Sequence, residues 1–256
     1  MTAMNRKALV TMIEDPFTRR QLETESVGSE DSPFDTLASD YDAWFEGEGK
    51  LIFATEVKSF QKVLPLLPKP WLEVGVGSGR FAKALGIKAG IDPSAKILAI
   101  ARKRGIKVFQ AKGEERLFGE ETFGTVFLIV TLCFVDSPIA VLQEAYRILK
   151  PGGKIVLGLV LRDSTWGQFY LTKKQEGHRF YKHATFYSYQ RVTEFLEHTG
   201  LAVEKVVSTL FQKPDEMDEV EIPREGFFPH AGFTIVVARK LLKEDVKANR
   251  EGLVRT

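Results

Sequence analysis

The run Thr125-Val-Phe-Leu-Ile-Val-Thr-Leu132 constrains the fold more than any other part of the chain. It has no polar face, so a strand made from it has to be covered on both sides. That is the position of a central strand in a parallel sheet sandwiched between helices. The neighbouring segments agree. Short apolar strands are predicted at 71–76, 88–91, 108–111 and 154–160. Between them lie a helix opening at Arg80, one capped by Ser94 and stopped by Gly105, and one that starts at Ser137-Pro138 and ends at Pro151-Gly-Gly153. Ser188 caps a further helix closed by Gly200, and strands at 202–211 and 233–240 follow with no helix between them. Taking turns, strand and helix imply right-handed crossovers. The expected fold is therefore α/β: a Rossmann-like open, mostly parallel seven-stranded sheet with helices on both faces and an antiparallel C-terminal edge hairpin.

Upstream, apolar and aromatic residues at helical spacing (Tyr41, Trp44 and Phe45, then Ile52, Val57 and Phe60) predict two helices within 34–64. Residues 1–32 end in a polar, acidic stretch with nothing to bury and read as a flexible extension. The expected organisation is that extension, one domain over 33–240, and a charged tail at 241–256.

Composition removes several function classes. A formal net charge of +2 over 256 residues gives no electrostatic footprint for nucleic acid. No apolar run reaches the roughly 18–20 residues of a membrane span, and the N-terminus does not read as a signal peptide. The single cysteine, Cys133, excludes an internal disulfide framework and a cysteine-rich metal centre. A cytoplasmic protein without a metal, with neither nucleic acid nor membrane as partner, is expected.

In an open parallel sheet, ligands bind beyond the carboxyl ends of the strands. After the first strand stands Glu73-Val-Gly75-Val76-Gly77-Ser-Gly79, where bare backbone lets the chain turn sharply and a ligand approach closely. A dinucleotide fingerprint would need glycine at position 80, which is Arg80. A carboxylate two places before the first glycine suits a ligand carrying an ammonium group better than a pyrophosphate. The second strand ends in Gly90-Ile-Asp92-Pro93-Ser94, with an acid able to accept hydrogen bonds from both ribose hydroxyls. After the third strand, Gly113 and Glu114 stand where an adenine edge can be met.

These motifs resemble the class I S-adenosylmethionine-dependent methyltransferases, in particular the small-molecule group with a ubiquinone/menaquinone-type domain. Phe34-Asp-x-x-Ala38-x-x-Tyr41-Asp42-x-Trp44 is similar to the family's lead-in helix, LEVGVGSGRF (72–81) to its first motif and GIDPS (90–94) to its second. Thr131-Leu-Cys-Phe-Val-Asp136 and EAYRILKPGG (144–153) follow in order. The resemblance implies S-adenosyl-L-methionine as cofactor. It implies that Tyr41 closes over the methionine half, that Glu73 and the turn from Gly75 through Val76 and Gly77 to Gly79 hold that half, and that Asp92 and Pro93 flank the ribose. Gly113 and Glu114 would meet the adenine, with Thr131 and Leu132 beside the sulfonium.

The reaction implied is in-line displacement of the methyl group onto a small-molecule acceptor. A general base is needed only for an acceptor that carries its proton near neutral pH. Asp136, just past the fourth strand, is the candidate by position, and a helix-entry role suits it equally. Cys133 lacks the Pro-Cys context of a nucleophile and reads as a small buried residue. Residues 161–187 form an aromatic insertion expected to cover the substrate, with Trp166, Phe169, Tyr170, His178, Tyr181 and His183 as candidate lid residues. Two other readings stand beside this one: a nicotinamide dinucleotide-dependent oxidoreductase, and a non-catalytic S-adenosylmethionine-binding relative.

Overall fold

The computed structural model describes residues 33–242. The extension at 1–32 and the tail beyond 242 lie outside the described residues.

Two helices, α1 (Pro33–Trp44) and α2 (Lys50–Phe60), precede the sheet. Then follow β1 (Trp71–Val74), α3 (Arg80–Leu85), β2 (Ala89–Asp92), α4 (Ala95–Lys103), β3 (Lys107–Gln110), β4 (Phe123–Ile129), α5 (Pro138–Ile148) and β5 (Leu149–Leu159). The chain closes with α6 (Thr165–Gln175), α7 (Tyr189–His198), β6 (Leu201–Thr209), β7 (Arg224–Glu225) and β8 (Phe233–Lys240). The strands form one sheet in the order β3-β2-β1-β4-β5-β8-β6-β7. The first five are parallel, and β8 runs antiparallel to both β5 and β6. The expected hairpin is thus present, with its second strand on the inner side, and the two-residue β7 adds an eighth strand outside it.

Strand order reverses between β1 and β4, so the chain leaves these neighbours in opposite directions and opens a crevice at their carboxyl ends. Helices cover both faces. On one, Phe60, Phe81, Leu98, Phe127 and Trp166 pack together; on the other, Leu72, Leu128, Leu142, Leu157 and Leu196 do so. Every residue of β4 is buried, as its two apolar faces require.

Three boundaries differ from expectation. β4 stops at Ile129 because Val130 turns into the left-handed region with φ 51°. A β-branched residue is strained there, by about 1–3 kcal/mol, and such strain collects at functional sites. α5 ends at Ile148, and the Pro151-Gly-Gly153 segment belongs to the start of β5. Within the aromatic insertion lies a regular helix, α6. Ser164 caps it, its Oγ accepting from the Gly167 N–H at 2.9 Å. Its aromatics, Trp166, Phe169 and Tyr170, share one face over little more than one turn, and the rest of TWGQFYLTKKQ is mostly polar, so the apolar period is too short to announce a helix.

Candidate active site

The turn after β1 is built from three glycines with positive φ, at 72° for Gly75, 52° for Gly77 and 78° for Gly79. Gly75 and Gly77 show why. The Gly75 and Val76 N–H groups both donate to the Ile91 carbonyl, at 2.8 and 2.9 Å, which pins the turn to β2. A Cβ at Gly75 would collide with the Thr131 side chain arriving from β4. A Cβ at Gly77 would meet only Ile97 at 3.7 Å and Tyr41 at 4.0 Å, so this backbone faces an open approach that the Tyr41 ring roofs over.

Asp92, at the end of β2, receives two backbone N–H groups: Gly77 on Oδ2 at 3.0 Å and Ser94 on Oδ1 at 2.9 Å. Burial pushes its carboxyl up to about 6 against the pull of those hydrogen bonds. Each oxygen keeps a second lone pair, which suits a vicinal pair of hydroxyls. Pro93, beside it, accepts Gln110 Nε2 on its carbonyl at 3.1 Å. Glu73 is 1% exposed, with Oε2 in contact with no donor. Burial first, and then the neighbouring Asp92 charge, hold its carboxyl well above the usual range. An unpartnered buried acceptor costs about 1–3 kcal/mol, and a bound cation nearby would relieve it.

Thr131 sits against Gly75 and donates its hydroxyl to the Ile129 carbonyl at 3.0 Å. Leu132 is fully buried behind it. Gly113 packs its bare Cα against Val74 and Val141, where a Cβ would come within 3.0 Å of both. Glu114 is half-buried next to it. Asp136 points outward: its side chain is 82% exposed and pairs with Lys112 at 3.4 Å, just before the Ser137 helix cap. Its surroundings are those of a helix-entry residue rather than of a base in a dry site. Cys133 donates its thiol to the Val130 carbonyl at 3.6 Å, and burial pushes that thiol up to about 12, which disfavours the thiolate.

The aromatic insertion folds over this end of the sheet. Tyr170 stacks on Tyr181 with ring centres 4.3 Å apart, and Tyr181 stacks on His178 at 4.7 Å. His178 Nδ1 accepts from the Phe180 N–H at 3.3 Å, and Phe180 touches Tyr41 edge-on at 5.7 Å. The lid therefore meets the tyrosine that roofs Gly77. Trp166 anchors the lid from beneath, 2% exposed, with Nε1 donating to the Gln212 carbonyl at 2.8 Å. Phe169 packs between Trp166 and Tyr170, half-buried. His183 is exposed and apart from the stack.

Two groups escaped the reading of the sequence. Asp42, one residue after Tyr41, is bound by Arg80 and Arg104 and ties α1 to the turn. Glu56 on α2 is buried, 5% exposed, and its charge raises the hydroxyls of Tyr41, Tyr170 and Tyr181. The signal for it is present in the sequence: an acid at helical spacing between Ile52 and Phe60, on an otherwise apolar stripe. Among the described residues no group of three or more His, Cys, Asp or Glu stands where it would hold a metal ion. No described helix is long and apolar enough to cross a membrane.

S-adenosylmethionine fits what is present. It carries two vicinal ribose hydroxyls for Asp92, an ammonium group to offset the orphaned Glu73 carboxyl, and a chain that can lie along the open backbone at Gly77.

Comparison with known proteins agrees. Residues 72–157 match a family model described as a methyltransferase domain. An uncharacterised protein of Methanocaldococcus jannaschii is 41% identical over 208 residues, covering 81% of this chain and 98% of its own length. An uncharacterised protein of Mycobacterium tuberculosis is 37% identical over 203 residues, 78% of this chain and 71% of its own. The crystal structure of an S-adenosylmethionine-dependent methyltransferase from Thermotoga maritima, described as a possible histamine N-methyltransferase, superposes with a TM-score of 0.75. It is 36% identical and covers 81% of this chain and 98% of its own. With its motifs, sheet order and cofactor cradle all in agreement, the chain belongs to the class I S-adenosylmethionine-dependent methyltransferases.

Proposed function

We propose that the protein transfers a methyl group to a small-molecule acceptor held under the aromatic cover of residues 161–187. The observation that carries this reading is the position of Tyr41. Its ring roofs Gly77 on the cofactor side, and its hydroxyl feels both Asp92 and the Glu56–Tyr181 side. Tyr41 thus stands between the cofactor cradle and the aromatic cluster of the cover, which it meets at Phe180. That cover is built of rings rather than of surface cations, which favours a small, partly apolar acceptor over a nucleic acid. The similarity to the Thermotoga maritima protein, itself described as a possible histamine N-methyltransferase, supports the same class. A cytoplasmic setting goes with this proposal.

S-adenosylmethionine supplies a methyl carbon already activated by a positive sulfur. The work left to the chain is alignment and the exclusion of water, and well-aligned proximity is worth roughly 7–11 kcal/mol. Asp92, Glu73 and the glycine turn hold the cofactor. Val130 and Thr131 set the wall beside the reacting centre, and the stacked Tyr170 and Tyr181 close the site. Asp136 has no part in this proposal. The test is incubation with methyl-labelled S-adenosylmethionine and a panel of small amines, phenols and acids, read by mass spectrometry. Label in at least one small acceptor is expected. Intact cofactor binding with no label in any acceptor, lid residues substituted or not, would favour the non-catalytic relative.

A further inference from the structure

Asp35 stands in the first turn of α1, half-buried, and reaches the start of α4. Its Oδ1 accepts the Ser94 Oγ–H at 2.5 Å and the Lys96 N–H at 3.3 Å. Ser94 is fully buried. Its Oγ accepts the Ile97 N–H at 3.3 Å as the cap of α4, and its main-chain N–H donates to Asp92 Oδ1 at 2.9 Å. Asp92 Oδ2 takes the Gly77 N–H at 3.0 Å. A chain of contacts thus runs from α1 through Ser94 to Asp92 and on to the glycine turn. About two turns further along α1, Asp42 is held by Arg80 and Arg104. Tyr41, which roofs Gly77, stands between these two fastenings.

Packing alone gives no reason to bring one carboxylate close enough to repel another, and the Asp35 charge does act against that of Asp92. What Asp35 supplies is an acceptor for Ser94. A serine hydroxyl has a single hydrogen to donate. Directed at Asp35, that hydrogen is kept away from Asp92 Oδ1, and the lone pairs of Oγ stay turned to Ile97.

Resting on the reading of Asp92 as the ribose-side acid, we propose that Asp35 is a positioning residue for the cofactor. By accepting the Ser94 hydroxyl when α1 is seated, it keeps the Ser94 N–H on Asp92 and leaves a lone pair of Oδ1 open for a ribose hydroxyl. The cofactor is then held tightly only with α1 in place, and the same seating sets Tyr41 over Gly77. Asp35 acts through Ser94, so its hydrogen bond and its charge have separate consequences. The hydrogen bond supports affinity. The charge raises the pH at which Asp92 loses its own. The other titratable groups that act with Asp92 are Glu73 from β1 and the Tyr41 hydroxyl. Gln110, its partner on β3, is neutral, and Lys96 on α4 is exposed.

The test is calorimetric titration of S-adenosylhomocysteine into the full chain between pH 5 and 8, for the wild type, Asp35→Ala, Asp35→Asn, Ser94→Ala and the double variant of Asp35→Ala with Ser94→Ala. Asp35→Ala is expected to weaken binding at least about fivefold at pH 7.5, and Asp35→Asn, which keeps an acceptor oxygen, to restore most of that loss. Both should move the acid limb of the affinity profile to lower pH, because the charge opposing Asp92 is gone. On the Ser94→Ala background, Asp35→Ala should change affinity less than about twofold. Wild-type affinity in Asp35→Ala, an unmoved acid limb in Asp35→Asn, or an undiminished effect of Asp35→Ala without Ser94 overturns the role of Asp35, provided that Asp92→Ala still weakens binding. Failure of the wild type to bind, or wild-type binding by Asp92→Ala, overturns the cradle itself and the role of Asp35 with it. Should Asp35→Ala not fold, the acid limb of Asp35→Asn decides.

Discussion

Arg80 grips Asp42 with three hydrogen bonds: Nε to Oδ1 at 2.8 Å, Nη2 to Oδ2 at 3.1 Å and Nη2 to the main-chain carbonyl at 2.9 Å. Arg104 adds a fourth, Nη2 to Oδ2 at 2.7 Å, and reaches the Ser78 carbonyl with Nη1 at 2.6 Å. The helix that carries Tyr41 is thereby fastened to the glycine turn that Tyr41 covers. The third glycine of a dinucleotide fingerprint is replaced by the residue that makes this link.

Asp42→Asn is expected to lower stability by about 1–3 kcal/mol at pH 7, between the values for exposed and fully buried pairs. Burial raises the Asp42 carboxyl, but the hydrogen bonds from Arg80 and Arg104 outweigh it and hold it well below the ordinary 3.8. A depressed folded value means that this stability is complete above the unfolded value and is lost as pH falls below it. Urea denaturation from pH 7 down to pH 3 should therefore show the gap between wild type and variant closing below about pH 4.

Asp92 predicts how cofactor affinity responds to acid. Its carboxyl, pushed by burial up to about 6, must be ionised to accept both ribose hydroxyls fully. S-adenosylhomocysteine affinity should hold steady above pH 7 and weaken as pH falls through about 6, measured by calorimetry. Asp92→Ala should weaken it at least about tenfold at pH 7.5, and the pH dependence near 6 should vanish with the carboxyl.

Gly75→Ala should disrupt the turn for two separable reasons. The backbone φ of 72° strains any side chain, and the new Cβ would strike Thr131. Thr131→Ala, combined with it, removes the two closest atoms of the collision, leaving the Cβ of residue 131 at 2.9 Å, and leaves the backbone strain in place. Thermal melts should show the double variant recovering part of a loss of roughly 2–4 kcal/mol, with strain of about 1–2 kcal/mol remaining.

Glu56 sets an opposite pH signature to Asp42. Its folded carboxyl, raised by burial from 4.5 to about 8, favours the neutral form. The folded state then binds more protons than the unfolded state between those values, so stability declines as pH rises from about 4.5 through 8. Glu56→Gln cannot ionise. Its stability relative to the wild type should climb across that window by on the order of 3 kcal/mol, read by chemical denaturation.

What the sequence made legible is what local chemistry determines. A run without a polar face has one place in a sheet, and β4 occupies it. Glycines at 75, 77 and 79 announce a turn with positive φ, and the acid at 92 stands at a strand end. What stayed hidden depends on residues brought together from afar. Asp42 and Arg104 are 62 positions apart, and nothing in either neighbourhood names the other. Glu56 looks like one charge among several on a short helix until the fold buries it, close enough for its charge to act on Tyr170 and Tyr181 from more than a hundred residues away. α6 escaped notice because Trp166, Phe169 and Tyr170 mark one face for little more than a turn and the residues after Leu171 are polar. Asp136 shows the converse. Position after a strand made it a candidate base, but only the fold reveals that its side chain faces water and Lys112.

Cofactor binding is tested most directly by calorimetric titration of S-adenosylmethionine, S-adenosylhomocysteine and NAD into the wild-type chain and into Asp92→Ala. Micromolar binding of both sulfur compounds, lost in the variant and absent for NAD, is the predicted result. Binding of NAD with none of either sulfur compound would contradict the assignment of the glycine turn, and with it the roles of Tyr41, Glu73 and Asp92.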